Sequence, residues 1–283
     1  MFKYGINCAF EPLEGMWPAV LRGTIEQNIK DAAAIGYDGV ELFLRDPQKQ
    51  DGAYIKRLAG DEGLLVAAIS TGLEFTKNGY CLIDESPQKR AEAVKRMREH
   101  IDLAFRLDSL VIIGIVRGNI PDFTKSDVYF GYLTECLLEL SDYAQTLGVG
   151  LVVEAIMRYI NNYLCSVPDT VDYIRSLGRK NIGVHIDSHH IQVEDLDIRK
   201  AVTYCGDSLK YIHFSDSNRA YPGGGAFDFK AMMSAMMDVK YDGFVTIESA
   251  PLPSPYECAD RGLRYMKHLC ALLEIERMGL GRG

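Results

Sequence analysis

Four residues with metal-binding side chains follow one another at intervals of about one βα unit. They are Glu154, Asp187, His213 and Glu248, separated by 33, 26 and 35 positions, and each closes an apolar run. One such acid alone is more often a helix cap or a surface charge. Four in one register have a common explanation, because a buried carboxylate is costly without a partner and a shared cation would satisfy all of them.

The donor atoms indicate which cation these side chains would bind. Three carboxylates and one imidazole suit a hard or borderline divalent ion better than Zn²⁺, which favours thiolates. We therefore predict one divalent metal ion held by the four residues. Mn²⁺ is the first choice, and Mg²⁺ and Co²⁺ are alternatives.

Eight short apolar, β-branched runs supply the elements that would position these residues. Each run is separated from the next by a segment with helical periodicity, which is typical of βαβ units and a parallel sheet. The predicted strands are Tyr4 to Asn7, Gly39 to Leu44, Leu65 to Ser70, Leu110 to Ile115, Gly150 to Ala155, Ile182 to Asp187, Leu209 to Phe214, and Phe244 to Glu248. The helices before Leu65 and Leu209 are the weakest in pattern.

The strands predict an α/β fold, a single (β/α)₈ TIM barrel over residues 1–283. Near-continuous apolar runs such as LVIIGIV (110–116) need cover on both faces, because a strand with one wet face would alternate. A doubly wound open sheet is the alternative, but eight units with no GxGxxG after the first strand favour closure. In a barrel the ends of the fifth to eighth strands share one arc of the rim, so the four side chains can converge.

Composition limits the possible partners. The 31 basic and 39 acidic residues give a net charge of -8, which would repel nucleic acid and anionic lipid. Seven scattered cysteines without CxxC spacing fit a reducing cytoplasm. No apolar run approaches the roughly 18 residues needed to span a bilayer. We expect a soluble cytoplasmic protein with neither nucleic-acid nor membrane partners.

Several segments resemble the D-tagatose/D-psicose 3-epimerase-like branch, the ketose 3-epimerases, of the xylose-isomerase-like barrels. The resemblance covers nearly the whole chain and is closest to the 5-keto-L-gluconate epimerases. Four motifs carry it: VELFLRDP (40–47), LVIIGIVRG (110–118), HFSDSNR (213–219) with PGGGAFDF (222–229), and APLP (250–253) after Glu248. The four metal ligands by themselves mark only the wider family.

The resemblance implies roles for six residues. Glu154 and Glu248 would bind the metal and also act as the two acid/base groups, facing each other across the substrate. Asp187 and His213 would be ligands alone. His190 and Arg219 match the family positions that hold substrate oxygens, although a histidine is more often a structural group and an arginine more often a surface charge.

The activity implied is inversion of the carbon next to the carbonyl of a ketose or keto-uronate. One glutamate would remove a proton from one face and the other would return one on the opposite face, with the metal stabilising the enediolate. An aldose–ketose isomerase and a non-catalytic metal- and sugar-binding protein are alternatives. The abasic-site endonucleases share the barrel, but they use more histidines than this chain offers, and its acidic charge argues against them. Relatives are often dimers or tetramers, so the resemblance also implies a homo-oligomer.

One departure from the family concerns the substrate. After the fifth strand the family pattern is Glu-x-x-Asn-Arg-Tyr-Glu, whereas this chain has Glu154-Ala-Ile-Met-Arg-Tyr-Ile160. In relatives the second glutamate contacts the terminal hydroxyl end of the ketose. Ile160 therefore predicts a less polar or differently shaped substrate end, with the metal site intact.

Other residues have candidate roles at the mouth of the barrel. A substrate carboxylate would need a cation, for which the candidates are Arg45, Arg117 and Arg158, each equally suited to a structural ion pair. The glycine run Gly223 to Gly225 is expected to help close the site rather than to bind phosphate. An apolar wall for the sugar could come from Phe10 and Trp17, or these could be core residues.

Overall fold

Eight parallel strands close into a barrel in the order of the chain, with β8 paired to β1. The computed structural model describes residues 2–10, 13 and 17–279. The strands are β1 (Lys3–Ala9), β2 (Gly39–Phe43), β3 (Leu65–Ser70), β4 (Leu110–Ile113), β5 (Leu151–Ala155), β6 (Ile182–Asp187), β7 (Leu209–Phe214) and β8 (Phe244–Ile247). The predicted α/β barrel is confirmed.

Helices cover the outside of the barrel, and most of them begin where the sequence supplies a cap. Ser86, Ser166 and Ser254 each accept a hydrogen bond from the backbone N–H three residues on, and a proline occupies the first or second helical position after each. The helices are α1 (Ile25–Ile35), α2 (Gly52–Asp61), α3 (Gly72–Thr76), α4 (Pro87–Leu107), α5 (Ser126–Leu147), α6 (Val167–Ser176), α7 (Ser188–Glu194), α8 (Ile198–Cys205), α9 (Phe229–Asp238) and α10 (Pro255–Arg277).

The carboxyl ends of β4 and β8 differ from the sequence prediction. β4 ends at Ile113 instead of Ile115, because the chain turns at Gly114 into a short 3₁₀ helix, Ile115–Arg117. Glu248 lies one residue beyond the end of β8. Both differences leave the side chains after β4 and β8 at the carboxyl-end rim, where the candidate site lies.

The interior of the barrel changes from apolar to polar along the strands. Ala68, Ile112, Val152 and Tyr211 pack together in an inner cluster that is separate from the larger core between strands and helices. Glu41, His185, Asp187 and His213 are also fully or almost fully buried. Successive side chains of a strand point to opposite faces, so each strand contributes alternate residues to this interior.

Two further observations bear on the sequence predictions. All seven cysteines are free thiols, and five of them are buried. Among the residues that the structure describes, none of the helices combines the length and the apolar character needed to cross a membrane.

Candidate metal and substrate site

The ends of β5 to β8 bring the four predicted metal ligands into one cluster. Ligand atoms of Glu154, Asp187 and His190 lie within 4.8 Å of one another, as do those of Glu154, His185 and His213. The same holds for Glu41, His213 and Glu248. These sets share members, so the predicted ligands form one continuous group. A cavity of about 300 Å³ opens at this rim and is lined by three of the four: Glu154, His213 and Glu248.

Arg219 joins two of the predicted ligands. Its Nη1 donates to Asp187 Oδ2 at 2.5 Å and to Ser215 Oγ at 2.8 Å, while Nη2 donates to Glu248 Oε2 at 2.6 Å. Burial would raise the pKa of Asp187, but the charge and hydrogen bond of Arg219, together with the neighbouring histidines, outweigh it and lower that pKa. The guanidinium that the family resemblance assigns to substrate oxygens therefore contacts two carboxylates, although Arg219 also lines the cavity.

Glu154 is a buried acid of the cluster whose pKa is raised. Its side chain is 12% exposed. Burial, followed by repulsion from Glu248, raises the pKa of Glu154 to about 8. A carboxyl group with a pKa near neutrality can both give and accept a proton, which is the property required of an acid/base catalyst.

The imidazole of His213 has one nitrogen engaged and one without a hydrogen bond. Nε2 lies 2.6 Å from Glu41 Oε2. Nδ1 is buried, has no hydrogen-bond partner and lies 3.6 Å from Glu248 Oε2. Burial would lower the pKa of His213, but Glu41 and Glu248 outweigh it and raise that pKa. A cation that binds at Nδ1 would therefore have to displace a proton.

Glu41 is a residue of the site that sequence reasoning missed. Its carboxylate is fully buried in β2 and accepts hydrogen bonds from Asn7 Nδ2, Ser70 Oγ, Tyr211 OH and His213 Nε2. Four donors use the acceptor positions of a carboxylate, so Glu41 fits the role of fixing His213 better than that of a ligand. The available signal was a lone acid inside the apolar run VELF, because a buried charge must have a partner.

Two further histidines lie against the cluster. His190, on α7, is 4% exposed and its Nε2 lies 3.6 Å from Glu154 Oε1. Burial lowers the pKa of His190 to about 3, so its imidazole is neutral at pH 7. His185 is buried beneath them, with its ring centre 4.2 Å from that of His213 and neither ring nitrogen hydrogen-bonded. His190 lines the cavity, in keeping with its predicted contact to substrate.

Apolar side chains line much of the remaining cavity. The described residues that contribute them include Trp17, Phe43, Ile115, Ile156 and Ile160. The rings of Trp17 and Phe43 are 5.9 Å apart. Trp17 thus occupies the predicted wall position, whereas Phe10 packs against the main core and is not a lining residue.

The glycine run lies in a loop organised by Asp216. The Asp216 carboxylate accepts hydrogen bonds from the backbone N–H groups of Ser217, Gly223 and Phe227, each at 2.8 or 2.9 Å. Gly223 has φ of 91°, a conformation that other residues rarely adopt. Because the Gly223 N–H is used within the loop, the segment holds the backbone around Arg219 in shape rather than presenting that N–H to a ligand.

The three arginines considered for a substrate carboxylate are all engaged elsewhere. Arg45 donates to Asn78, and Arg158 forms a bidentate pair with Glu194. Arg117 is fully buried and donates to the backbone carbonyls of Glu154, Tyr163 and Leu164. None of the three lines the cavity.

A closed parallel barrel with carboxylates and histidines at its carboxyl-end rim defines a class of barrel suited to binding a divalent cation beside a small polar molecule. The chain belongs to the Xylose isomerase-like TIM barrel family, whose model matches residues 29–269.

The chain is similar to several sugar 3-epimerases. The chain is 28% identical over 224 residues to an L-ribulose 3-epimerase of Methylomonas sp. strain DH-1, covering 78% of this chain and 77% of that one. It is 26% identical over 227 residues to a ketose 3-epimerase of Arthrobacter globiformis, covering 80% and 77%. The solved structure of an L-ribulose 3-epimerase superposes with a TM-score of 0.85 at 20% identity, covering 99% and 98% of the two chains.

Proposed function

We propose that this protein is a divalent-metal-dependent epimerase that inverts the carbon next to the carbonyl of a free ketose. The observation that carries the proposal is the placement of Glu154 and Glu248 in one cavity together with the unpartnered Nδ1 of His213. The similarity to ketose 3-epimerases supports the choice of reaction.

The residues present fit a metal ion. Glu154, Asp187 and Glu248 supply oxygen donors, and His213 Nδ1 is a buried nitrogen that lacks a hydrogen bond. This donor set is that of Mn²⁺, Mg²⁺ or Co²⁺, and we propose Mn²⁺. When bound, the ion supplies Lewis acidity, which stabilises negative charge as it develops on substrate oxygens.

The side chains of the site transfer the protons and hold the substrate. One of Glu154 and Glu248 takes the proton from the reacting carbon, and the other delivers a proton to the opposite face. Without a bound ion, burial and repulsion from Glu248 hold a proton on Glu154, whose pKa is raised to about 8. His190, neutral and facing the cavity, can hydrogen-bond a substrate hydroxyl, and Arg219 holds Asp187 and Glu248 in place.

Proton exchange in deuterated water tests the proposal. With added Mn²⁺, NMR should show deuterium entering a ketose at the carbon that inverts, and EDTA should stop the exchange. Glu248→Gln should slow it by about 10²-fold or more, the usual contribution of an acid/base group. Glu139→Gln, which removes the same charge from the exposed face of α5, serves as the control and should exchange at the wild-type rate.

The outcomes separate the alternatives. Full exchange in Glu248→Gln would remove the catalytic assignment. Deuterium at C1 with formation of an aldose would indicate an isomerase, and sugar binding without any exchange would indicate a binding protein.

We also propose a cytoplasmic location and a homo-oligomer, a dimer or a tetramer. Seven free thiols favour a reducing compartment. Exposed apolar side chains near the rim, among them Tyr159, Val193 and Leu196, favour a protein interface. Light scattering after gel filtration measures the assembly, and a monomer at micromolar concentration would contradict it.

A further inference from the structure

Arg117 is a fully buried arginine, and no described residue supplies it with a carboxylate partner. It lies at the end of the short 3₁₀ helix Ile115–Arg117, which follows β4. A buried guanidinium loses its hydration, and the groups that it contacts have to offset this cost. The acceptors of its hydrogen bonds all belong to the chain at and after the end of β5.

The guanidinium joins the two ends of the segment that connects β5 to α6, which we call the β5 loop (residues 156–166). Nη1 donates to the carbonyl of Glu154 at 2.5 Å, two residues before the loop begins. Nη2 donates to the carbonyls of Tyr163 and Leu164 at 3.3 and 3.2 Å, near the end of the loop. Arginine suits this position because its donors lie in one rigid plane.

Other groups already bind the far part of the β5 loop to the segment after β4. The hydroxyl of Tyr163 donates to the carbonyl of Arg117 at 2.9 Å. Asn162 Nδ2 donates to the carbonyl of Ile120 at 2.8 Å, and the backbone N–H of Ile120 donates to Asn162 Oδ1 at 2.9 Å. What the Arg117 side chain adds to these contacts is the hydrogen bond at the near end, to Glu154.

The turn after β4 thus meets Glu154 on two sides. Gly114, which begins the turn, lies beside the carboxylate, since a Cβ added to Gly114 would be 2.7 Å from Glu154 Oε2. Arg117, at the end of the turn, holds the Glu154 carbonyl. None of the hydrogen bonds described for Arg117 reaches Glu248, which follows β8. Loss of the guanidinium would therefore displace one of the two proposed acid/base groups and leave the other in place.

We propose that Arg117 is a positioning residue for Glu154, and that it fixes the main chain from which this carboxylate reaches the reacting carbon. Arg117 does not line the cavity, so it acts through Glu154 and not on the substrate. The inference rests on the proposed function and adds a residue to it. Because one of the two acids depends on Arg117, its removal affects the two faces of the substrate unequally.

The test separates proton exchange from inversion. In deuterated water with Mn²⁺, NMR follows both the deuterium that enters a ketose with its configuration retained and the epimer that forms. In Arg117→Met a misplaced Glu154 should slow inversion by about 10²-fold, while Glu248 still exchanges the proton on its own face. For one of the two epimers the ratio of exchange to inversion should therefore rise about tenfold or more.

This ratio does not depend on how much of a variant is folded. Arg117→Lys keeps the charge but loses the planar fork of donors, so its ratio should lie between those of wild type and Arg117→Met. The lysine variant decides by the same criterion if the methionine variant does not fold. A wild-type ratio in the Arg117 variants would overturn the proposal.

Arg175→Met is the matched control. Arg175, on α6, donates to the carbonyls of Tyr204 and Cys205 at 2.9 and 3.3 Å and lies over the ring of Tyr204. These contacts are of the same kinds as those of Arg117, but Arg175 does not line the cavity and has no contact with Glu154 among the described residues. Arg175→Met should keep the wild-type ratio, and a rise equal to that in Arg117→Met would also overturn the proposal.

A second measurement distinguishes failure of this inference from failure of the proposed function. Wild-type protein that exchanges no proton would refute the epimerase. The visible spectrum of the Co²⁺-loaded protein would then decide the role of Arg117, because Glu154 is a proposed ligand: a change in Arg117→Met but not in Arg175→Met would support it, and an unchanged spectrum would reject it. Wild-type exchange with equal ratios in all variants would reject the role of Arg117 and leave the epimerase intact.

Discussion

Gly114 leaves room for the carboxylate of Glu154, because glycine has no Cβ. A Cβ at residue 114 would lie 2.7 Å from Glu154 Oε2. The atom it would meet is the end of a flexible side chain, so the carboxylate can move aside at little cost to the fold. Proton transfer, in contrast, depends on carboxylate position to within about 0.5 Å.

Gly114→Ala should therefore reduce activity far more than stability. We expect exchange of substrate protons to slow by about 10²-fold, because a small misplacement of a catalytic group has costs of this order. Gly131→Ala, on the exposed face of α5 with nothing near its Cβ, is the matched control and should gain about 0.5–1 kcal/mol of stability. Thermal unfolding and the NMR assay check both, and normal exchange in Gly114→Ala would contradict this account of Glu154.

Glu41→Gln tests the support of His213. The amide keeps the size of the side chain but loses the charge and replaces one acceptor by a donor. We expect affinity for Mn²⁺ to fall about 10- to 100-fold, the usual effect of losing such a supporting carboxylate.

Calorimetry and the visible spectrum of the Co²⁺-loaded protein report this loss independently of activity. Glu26→Gln, which also removes a carboxylate bonded to a tyrosine, lies on the surface and should leave affinity unchanged. Wild-type affinity and spectrum in Glu41→Gln would show that Glu41 has only a structural role.

At the scale of single residues, the sequence predicted those site residues that lie at the ends of strands. Glu154, Asp187, His213 and Glu248 each close an apolar run, so register alone suggested that they meet. Glu41 lies within a strand, where nothing in a single sequence indicates which partner a buried acid finds. The engagement of Arg219 with two carboxylates likewise depends on a loop conformation that no periodicity encodes.

At the scale of elements, α3 and α4 are joined through a buried acid. Glu74 of α3 is fully buried and contacts His100 Nε2 at 2.6 Å and Arg96 Nε at 2.7 Å, both from α4. α3 supplies Gly72 and Thr76 to the cavity. This ion cluster therefore fixes part of the cavity wall.

His100 should make stability depend on pH. Burial lowers the pKa of His100, and Glu74 offsets this only in part. The folded protein thus binds a proton at His100 less readily than the unfolded chain does. Its contribution to stability is present above the ordinary histidine pKa of about 6.5 and declines as the pH falls below it.

Urea unfolding of wild type and His100→Gln at pH 7.5 and 5.5 measures this effect. We expect the variant to be less stable by about 1–3 kcal/mol at pH 7.5, because Glu74 loses a buried partner, and the difference to shrink at pH 5.5. His268→Gln, on the exposed face of α10, should show no such change. A difference independent of pH would contradict the assignment.

The sequence predicted the strands and the long helices, but it did not predict the short helices. Every predicted strand lies within two residues of an observed one at each end. The helical patterns of the sequence over 24–35, 88–107 and 126–147 match α1, α4 and α5 within one residue. The short helices α3 and α7 were missed, because five and seven residues are too few to show a helical period. Both border the cavity, so the least predictable elements are the ones that shape it.

At the scale of the whole molecule, metal binding should stabilise the fold. A ligand that binds only the folded chain adds about 2.7 kcal/mol at 100 times its Kd, which corresponds to a rise of several degrees in Tm. Because the pKa values of Glu154 and His213 are raised, binding releases protons and should tighten from pH 6.5 to pH 8.

Thermal unfolding with Mn²⁺ or EDTA at the two pH values checks this prediction. Asp187→Asn should lose most of the metal-dependent shift. A Tm that Mn²⁺ does not change at either pH would argue against the metal site itself.

Substrate choice is the property of the whole molecule that the sequence left most open. The apolar side chains of the cavity come from β2 and β4 and from the segments after β1, β4 and β5, which have no periodicity in common. Their convergence on one cavity depends on barrel closure, which brings together residues more than 100 positions apart.

The hydrogen bonds of Glu41 also have a consequence for engineering. Asn7 and Ser70 tie β1 and β3 to one acid in β2, and Tyr211 and His213 tie the same acid to β7. Strands without a predicted metal ligand are therefore coupled to the predicted ligand His213. A saturation-mutagenesis map selected for sugar conversion should thus show intolerant positions on both sides of the barrel axis. Libraries aimed at new substrates are best confined to positions such as 115, 156 and 160, with this inner tier left intact.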